Sequence, residues 1–513
     1  MSKLMKHNYK KIFNLEELKK KILLEKSKNK KIIHCHGVFD LIHIGHIKHL
    51  QSAKNEGDFL VVSLTSDKFV NKGPGRPVFN YNLRAEVISS LECVDAVIVN
   101  DHQLPTKLIE IIKPDIYFKG PDYKKDAKNN AKDIVKDIKS VKKVGGKIVF
   151  SEDITFSSSN LINNHLSLLS PSQKNFIKNI SKKYSFEFIS KEIEKIKNMK
   201  VFLVGETIID QYIFGQVLGK SGKEPHLVMQ QEAKEQYFGG AGAIANHLST
   251  FCKKINFLTI IGKNKEFFNF IKKSLRKNIN AKYLFKKDSP TILKKRFIDK
   301  ITGNKLLGVY EINDKKLNKD LEKKLQNFIK KISKVSDLIL ISDYGHGFIS
   351  TKTASILLSQ KKFISLNAQV NASNNGYHSL RKYKKINTLV INENELRHEM
   401  RDKNTNFENL ASEIAKKYDI KNLIVTRGKD GAFMLKNKTI PFYCPAFASS
   451  ALDKVGAGDA MLAIISLCLR IKMPEDLALF LGSLAGATAV ENIGNSKFIN
   501  KNELLRQVEH LIK

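Results

Sequence analysis

Short apolar runs alternate with segments of helical spacing along most of the chain, and that rhythm leaves few folds open. Leu15, Leu18, Ile22 and Leu23 predict a helix within residues 15–30, followed by a strand at Ile32–Ile33. Phe59–Leu64, Ala96–Val99, Ile116–Phe118 and Lys147–Phe150 read as further strands, with helices at Asn82–Glu92 and Thr106–Ile112 between them. A parallel sheet covered on both faces needs such continuous apolar strands, joined by crossover helices. A second rhythm begins at Val201–Val204. It continues through Asn256–Ile261, Leu338–Ile341, Thr388–Ile391 and Leu423–Thr426 to apolar helices near the C-terminus. Residues near 211–235 and 281–312 interrupt it with alternating, β-branched segments and turns such as Thr302-Gly303-Asn304, which predict a small appended sheet. The expected class is α/β, with two doubly wound parallel-sheet domains.

A length of 513 residues has room for two or three domains at roughly 150 residues each. The expected division is a first domain over 1–165, a lysine-rich helical linker over 166–198 and a second domain over 199–513. The formal charge of +37 invites a polyanion partner, because a basic face gains counterion-release energy against phosphates. Only ten of the 88 basic residues are Arg, however, and the lysines are spread over the whole chain. A lysine-coated surface is the expectation, with no specific nucleic acid and no membrane partner. The apolar stretches Ala460–Leu469 and Leu477–Val490 are each too short to span a bilayer comfortably. Cys35, Cys93, Cys252, Cys444 and Cys468 fall in no metal-ligating spacing, and an odd, scattered set points to free thiols in a reducing, cytoplasmic setting.

The segment His34-Cys35-His36-Gly37-Val38-Phe39-Asp40-Leu41-Ile42-His43-Ile44-Gly45-His46 lies where a strand ends and a helix begins. Three-residue spacing puts His43 and His46 on one helix face near its N-terminus, where free N–H groups seat phosphate. Two imidazoles there can stabilise charge on a phosphoryl group under attack, while Gly37 and Gly45 let backbone approach a nucleotide. The helix-borne zinc motif differs, since its histidines are four apart with Glu between. The segment resembles the GxFDxxHxGH motif of the cytidylyltransferase-like family, which binds the triphosphate of CTP or ATP. Gly75-Arg76-Pro77-Val78 with Arg84, Lys119-Gly120-Pro121-Asp122-Tyr123, and Phe156-Ser157-Ser158-Ser159-Asn160-Leu161-Ile162 are similar to stretches of the heptose-1-phosphate adenylyltransferase module. The resemblance implies a Rossmann-like nucleotidyltransferase. In it, His43 and His46 act on the transition state, while Gly37, Phe39, Asp40, Gly45, Lys48, Arg84, Lys119 and Ser157–Ser159 (Ser158 included) contact the nucleotide. Lys48 reads equally well as a solvated helix lysine.

Asp453-Lys454-Val455-Gly456-Ala457-Gly458-Asp459 opens a long apolar helix. Small residues at Gly456, Ala457 and Gly458 let consecutive N–H groups form an anion hole, and Asp459 at the helix start can accept a hydroxyl proton. Transfer of a γ-phosphoryl group to an alcohol requires this arrangement. The region resembles the PfkB (ribokinase-like) sugar kinases, whose signature is DTxGAGD with the last Asp as base. Gly239-Gly240-Ala241-Gly242-Ala243-Ile244-Ala245-Asn246 is similar to that family's substrate-side glycine element, and Asp210 to its sugar-binding Asp. Ser342-Asp343-Tyr344 is similar to a heptose-kinase segment, and the small sheet, with Pro290-Thr291-Ile292, Lys294 and Arg296, to the family's lid. The resemblance implies sugar contacts from Asp210, Gly239, Gly240 and Asn246, and nucleotide contacts from Asn392, Thr426, Gly428 and Gly431. It also implies a Mg²⁺ shell organised by Asn392 and Glu395, through water. Leu366-Asn367-Ala368-Gln369-Val370 departs from the DPKG-like stretch usual there. Lys454 stands in place of Thr or Val, as a phosphate contact or as a tolerated side chain.

Together these readings imply a bifunctional enzyme, an ATP-dependent sugar kinase (a heptose 7-phosphate kinase above all) joined to a sugar 1-phosphate nucleotidyltransferase using ATP or CTP. Its cofactor is Mg²⁺ and its partners are sugar phosphates, nucleoside triphosphates and a second copy in a homodimer. The familiar bifunctional heptose enzyme has its kinase first, the reverse of the order here. A polyol phosphate-type cytidylyltransferase fused to a different sugar kinase satisfies the same motifs. A basic nucleic-acid-binding or regulatory protein on retired enzyme folds is the alternative of another class.

Overall fold

The computed structural model describes residues 11–70, 76–120, 132–151, 169–370, 374, 379–448 and 451–512. They form two units, Met1–Ser170 and Pro171–Lys513.

The first unit has one five-stranded sheet built from β1 (Ile32–Gly37), β2 (Phe59–Thr65), β3 (Ala96–Asn100), β4 (Ile116–Lys119) and β5 (Lys147–Phe150). Their order is β3-β2-β1-β4-β5, with every pairing parallel. All seven residues of β2 are buried, which accounts for its unbroken apolar run. The chain builds outward from β1 in one direction, then crosses back to β4. That reversal leaves a crevice at the carboxyl end of β1, where ligands of open α/β sheets bind.

The second unit contains a nine-stranded sheet and a four-stranded one. The larger consists of β6 (Lys200–Gly205), β9 (Lys254–Gly262), β10 (Ile279–Lys286), β13 (Leu338–Asp343), β14 (Phe363–Ala368), β15 (Ile386–Asn392), β16 (Ile420–Thr426), β17 (Ala432–Lys436) and β18 (Ile440–Cys444). The order β10-β9-β6-β13-β14-β15-β16-β17-β18 is parallel as far as β16 and antiparallel over the last two pairings. The smaller sheet, β12-β11-β7-β8, joins β7 (Thr207–Lys220), β8 (Leu227–Gly240), β11 (Ile292–Asp299) and β12 (Lys305–Glu311). The small sheet was expected to include residues from 281, but Ile279–Lys286 pairs in parallel with β9 at the edge of the large sheet. Only Leu284 of that strand is buried, and half-exposed alternation is what a sheet edge shares with a lid.

The segment expected to be a linker contributes two helices to this unit, Pro171–Lys183 and Phe186–Lys195. Ile177, Ile180, Ile189 and Ile193 are buried at helical spacing. Phe176 packs against Phe447 and Phe480, with ring centroids 6.1 and 5.7 Å apart, and Tyr184 donates a 2.8 Å hydrogen bond to Asp476. The two apolar C-terminal stretches are the helices Ala457–Arg470 and Glu475–Val490, packed on each other. No helix among the described residues is long and apolar enough to cross a membrane. A Cβ on Gly482 would lie 2.3 Å from Cγ1 of the buried Ile465, so these helices approach too closely for a side chain there. Gly482→Val is expected to destabilise the second unit by about 2 kcal/mol, read as a lower midpoint in urea unfolding.

Candidate functional site

In the second unit, the carboxyl ends of the strands and the small sheet bound a cleft of about 1260 Å³. Asp459 lies in the first turn of Ala457–Arg470 and is nine-tenths buried. Gly456 caps that helix at φ +88°, a backbone that L side chains resist, and a Cβ there would meet Asn495 Oδ1 at 2.3 Å. The first-turn N–H groups have no intrahelical acceptor and make up the positive end of the helix dipole. Tyr344 donates its hydroxyl to Asp459 Oδ1 at 2.8 Å. Burial, reinforced by Asp210, raises the Asp459 carboxyl to about 7 against the lowering effects of Tyr344 and Lys294.

Tyr344 is itself fixed from below. Its N–H donates to Glu206 Oε2 at 3.0 Å and that of His346 to Oε1 at 3.1 Å, so one carboxyl just past β6 holds the turn after β13. Burial raises the Glu206 carboxyl, and the neighbouring Asp343 adds to this. On the small sheet, Asp210 pairs with Arg296, and the buried Lys294 lies over the rings of Tyr310 and Tyr344 at 5.4 and 6.0 Å. Asp453 accepts from Tyr212, Lys305 and the N–H groups of Gly494 and Val455, and so ties small sheet, signature loop and C-terminal turn together.

In the first unit, His43 is the N-cap of the helix Ile44–Asn55, and its Nδ1 accepts from the Gly45 N–H at 3.1 Å. The His43 and His46 rings lie 4.0 Å apart, centroid to centroid, so the two predicted imidazoles do come together. Burial lowers the pKa of His43. The preceding loop is strained, with Phe39 at φ +47° and Leu41 at φ +48°. Asp40 braces it by accepting from the N–H groups of Val78 and Phe79, and Arg84 by donating to the carbonyls of Val38, Phe79 and Thr65 and to Asp67.

A family model described as pfkB family carbohydrate kinase matches residues 198–502, more than half of the chain. The chain belongs to that family. A second model, described as cytidylyltransferase-like, matches residues 34–164, so the transferase-like segment precedes the kinase-like one. Among curated proteins, the chain is 38% identical over 155 residues to the bifunctional protein HldE of Methylobacillus flagellatus, 30% of each chain. It is 45% identical over 115 residues to HldE of Geobacter metallireducens, 22% of this chain and 24% of that one. The chain thus matches less than a third of the length of these relatives. Phosphofructokinase-2 from Escherichia coli in complex with fructose-6-phosphate is 15% identical, with a TM-score of 0.48 over 62% of this chain and 100% of that one.

Of the residues expected at the pfkB site, Asp210, Gly240, Asn392, Glu395, Thr426, Gly428, Gly431, Gly456, Ala457, Gly458 and Asp459 line the cleft, as does Lys454. Gly239 and Asn246 do not. A Cβ on Gly239 would fall 2.1 Å from Asp210 Oδ2, so this glycine makes room for that carboxylate, while the Asn246 amide donates to the Ser274 carbonyl at 2.9 Å in the helix packing. Asn367, of the departing stretch, lines the cleft but spends its amide on the Val390 carbonyl. Asn392 and Glu395 form a capping box on the helix Glu393–Met400. Both Glu395 oxygens accept backbone N–H groups, from Asn392 and Val370, and burial raises its carboxyl to about 7.

The described residues contain no cluster of three metal-ligating side chains. Glu395 is one of several carboxyls lining the cleft, and with both oxygens already accepting backbone N–H groups it fits a Mg²⁺ only through water.

In the first unit, Phe39, Asp40 and Arg84 lie in and around the loop where nucleotide contacts are expected. The Phe39 side chain is buried edge-on against His46 at 5.5 Å, and the Asp40 and Arg84 side chains hold backbone, so all three side chains shape the loop. Lys119 is buried, its ammonium 3.6 Å from Asp137 and over the Tyr117 ring. Lys48 is exposed on the helix. Ser157–Ser159, Gly75 and Pro121–Tyr123 lie outside the described residues. The bracing by Glu206, Lys305 and Tyr212 was not foreseen. A lysine such as Lys305 carries no signal in a chain coated with them, although the buried Asp453 belongs to a motif that was legible.

A carboxyl at about 7 in the folded chain against 3.8 unfolded binds more protons when folded, so its stabilising effect, full below pH 4, is lost as pH rises through 7. Asp459→Asn is therefore expected to gain stability over the parent chain between pH 5 and 7 and to keep a constant lead above about pH 8, by urea unfolding across that range.

Proposed function

We propose that this protein is a bifunctional enzyme making a nucleotide-activated sugar, with its two activities on its two units. The observation that carries this reading is one chain with two phosphate-handling centres. One is a nine-tenths-buried aspartate at a glycine-capped helix start, the other a close, tilted histidine pair at a strained strand-to-helix loop.

In the kinase step, Asp459 takes the proton of an acceptor hydroxyl as its oxygen bonds to the γ-phosphorus of ATP, and the bond to the ADP oxygen breaks. The N–H groups of Gly456–Gly458 receive charge on the moving phosphoryl group, and Tyr344 orients the carboxylate. Mg²⁺, when bound with ATP, neutralises phosphate charge. In the transferase step, a sugar 1-phosphate oxygen attacks the α-phosphorus of ATP or CTP and pyrophosphate leaves. His43 and His46 meet the charge that develops there. Arg296 and Lys305 line the cleft paired with Asp210 and Asp453, and with Lys294 beside them they favour an acceptor that already bears a phosphate, of which heptose 7-phosphate is our choice. Surface-glycan precursor synthesis in the cytoplasm is the setting proposed.

Asp459→Asn is expected to lower kinase turnover by about a thousandfold and leave pyrophosphate release unchanged, and His46→Ala to do the converse. In the parent chain, kinase kcat/KM should rise with pH to a plateau above about 7, because the base must be ionised. Incubation with a panel of sugar phosphates and each nucleoside triphosphate, read by mass spectrometry, is expected to give a nucleotide sugar from one pair. Absence of pyrophosphate with every pair would refute the transferase assignment.

A further inference from the structure

A chain of side chains beneath the first-unit loop has no part in the chemistry above. His34, fully buried on β1, places Nε2 2.7 Å from Ser63 Oγ on β2, and the same hydroxyl lies 2.8 Å from His36 Nδ1. His36 Nε2 is 3.3 Å from Thr65 Oγ1, and Thr65 Oγ1 is 3.5 Å from the Gly37 carbonyl oxygen. Each of these pairs bridges β1 and β2, whose register sets His34 opposite Val61 and His36 opposite Ser63.

Elementary donor counting fixes the direction of this chain. The Gly37 oxygen, 3.5 Å from the Thr65 hydroxyl, can only accept, and in the order where Thr65 donates to it Thr65 accepts from an N–H at His36 Nε2. His36 Nδ1 is then bare and takes the Ser63 proton, and Ser63 accepts from an N–H at His34 Nε2. His34 Nδ1 is left bare, and it is buried with no hydrogen-bond partner. The opposite direction would put a hydrogen on that nitrogen, leaving a buried N–H with no acceptor. The buried His34 end therefore selects the order, and the Thr65–Gly37 contact is compatible with it. Burial keeps the two imidazoles neutral, which the order requires.

We propose that His34, Ser63, His36 and Thr65 form a one-way hydrogen-bond relay that fixes the Gly37–Val38 peptide, and that Ser63 and His36 are positioning residues for the triphosphate. Arg84 holds the Val38 carbonyl and the Thr65 carbonyl. Because a trans peptide points its N–H opposite its C=O, anchoring the Gly37 and Val38 carbonyls turns the amide hydrogens of Val38 and Phe39 to the other side of the loop. Those N–H groups are suited to an anion, and their aim depends on the relay. The positioning role rests on the transferase reading; the relay's direction does not.

The direction is tested by ¹⁵N NMR of histidine-labelled full-length protein, with the two signals assigned by His34→Phe and His36→Leu. Both rings are expected as Nε2–H tautomers, and a Nδ1–H form at either would overturn the relay. For the positioning role, Ser63→Ala is expected to raise the KM for the nucleoside triphosphate roughly tenfold with little change in kcat, and to leave the kinase rate alone. A lower melting temperature with an unchanged KM would reduce Ser63 to a structural part and overturn the role. Should Ser63→Ala not fold, a second pair decides. His36→Gln, whose amide N–H can still reach Thr65, should keep a KM near that of the parent while His36→Leu raises it, and equal values would overturn the role. A parent chain that releases no pyrophosphate with any triphosphate overturns the transferase reading and the positioning role together, whereas a KM insensitive to Ser63→Ala in an active parent overturns the role alone.

Discussion

Glu206 is the residue on which the kinase centre rests. Its buried carboxyl, at the end of β6, accepts the N–H groups of Tyr344 and His346 across the point where the strand order reverses. A buried acid with one backbone donor on each oxygen converts a flexible turn into a fixed one. Tyr344 then has a single place to put its hydroxyl, and Asp459 receives it. The raised Asp459 carboxyl follows from that enclosure, with Asp210 nearby and only Tyr344 and Lys294 to counter it.

The first unit solves a similar problem with different residues. A strand must end and a helix begin within a few residues, through a loop with two residues in the left-handed region. The left-handed turns at Phe39 and Leu41 accomplish this at a conformational cost, and they persist because Asp40 and Arg84 hold the flanking backbone. Asp40 and Arg84, expected as ligand contacts, are braces that give the loop its shape. A motif residue can serve by holding backbone as well as by touching a ligand.

Much of the architecture was legible in the amino-acid pattern. Buried parallel strands must be apolar throughout, so β2 and β13 announced themselves, as did the glycine-rich start of Ala457–Arg470. The helices Pro171–Lys195 were harder to place, because a lysine-rich amphipathic helix looks the same as a solvated linker until Phe176 finds Phe447 and Phe480. Ile279–Lys286 was assigned to the wrong sheet for a related reason, since edge strands of either sheet share the same half-buried pattern.

By itself the sequence determined that there are two α/β units, that each carries a phosphate-handling motif, and where the histidine pair and Asp459 stand in the chain. These follow from local periodicity and from backbone chemistry that only glycine or a helix start can supply. Tertiary structure alone decided which motif residues reach the cleft and which support it. Asn246 turned into the helix packing and Gly239 cleared space for Asp210, while Glu206, Tyr212 and Lys305 came from distant strands to hold the site. Pairings across more than a hundred residues leave no trace in local spacing, because they depend on which strands the sheet sets side by side.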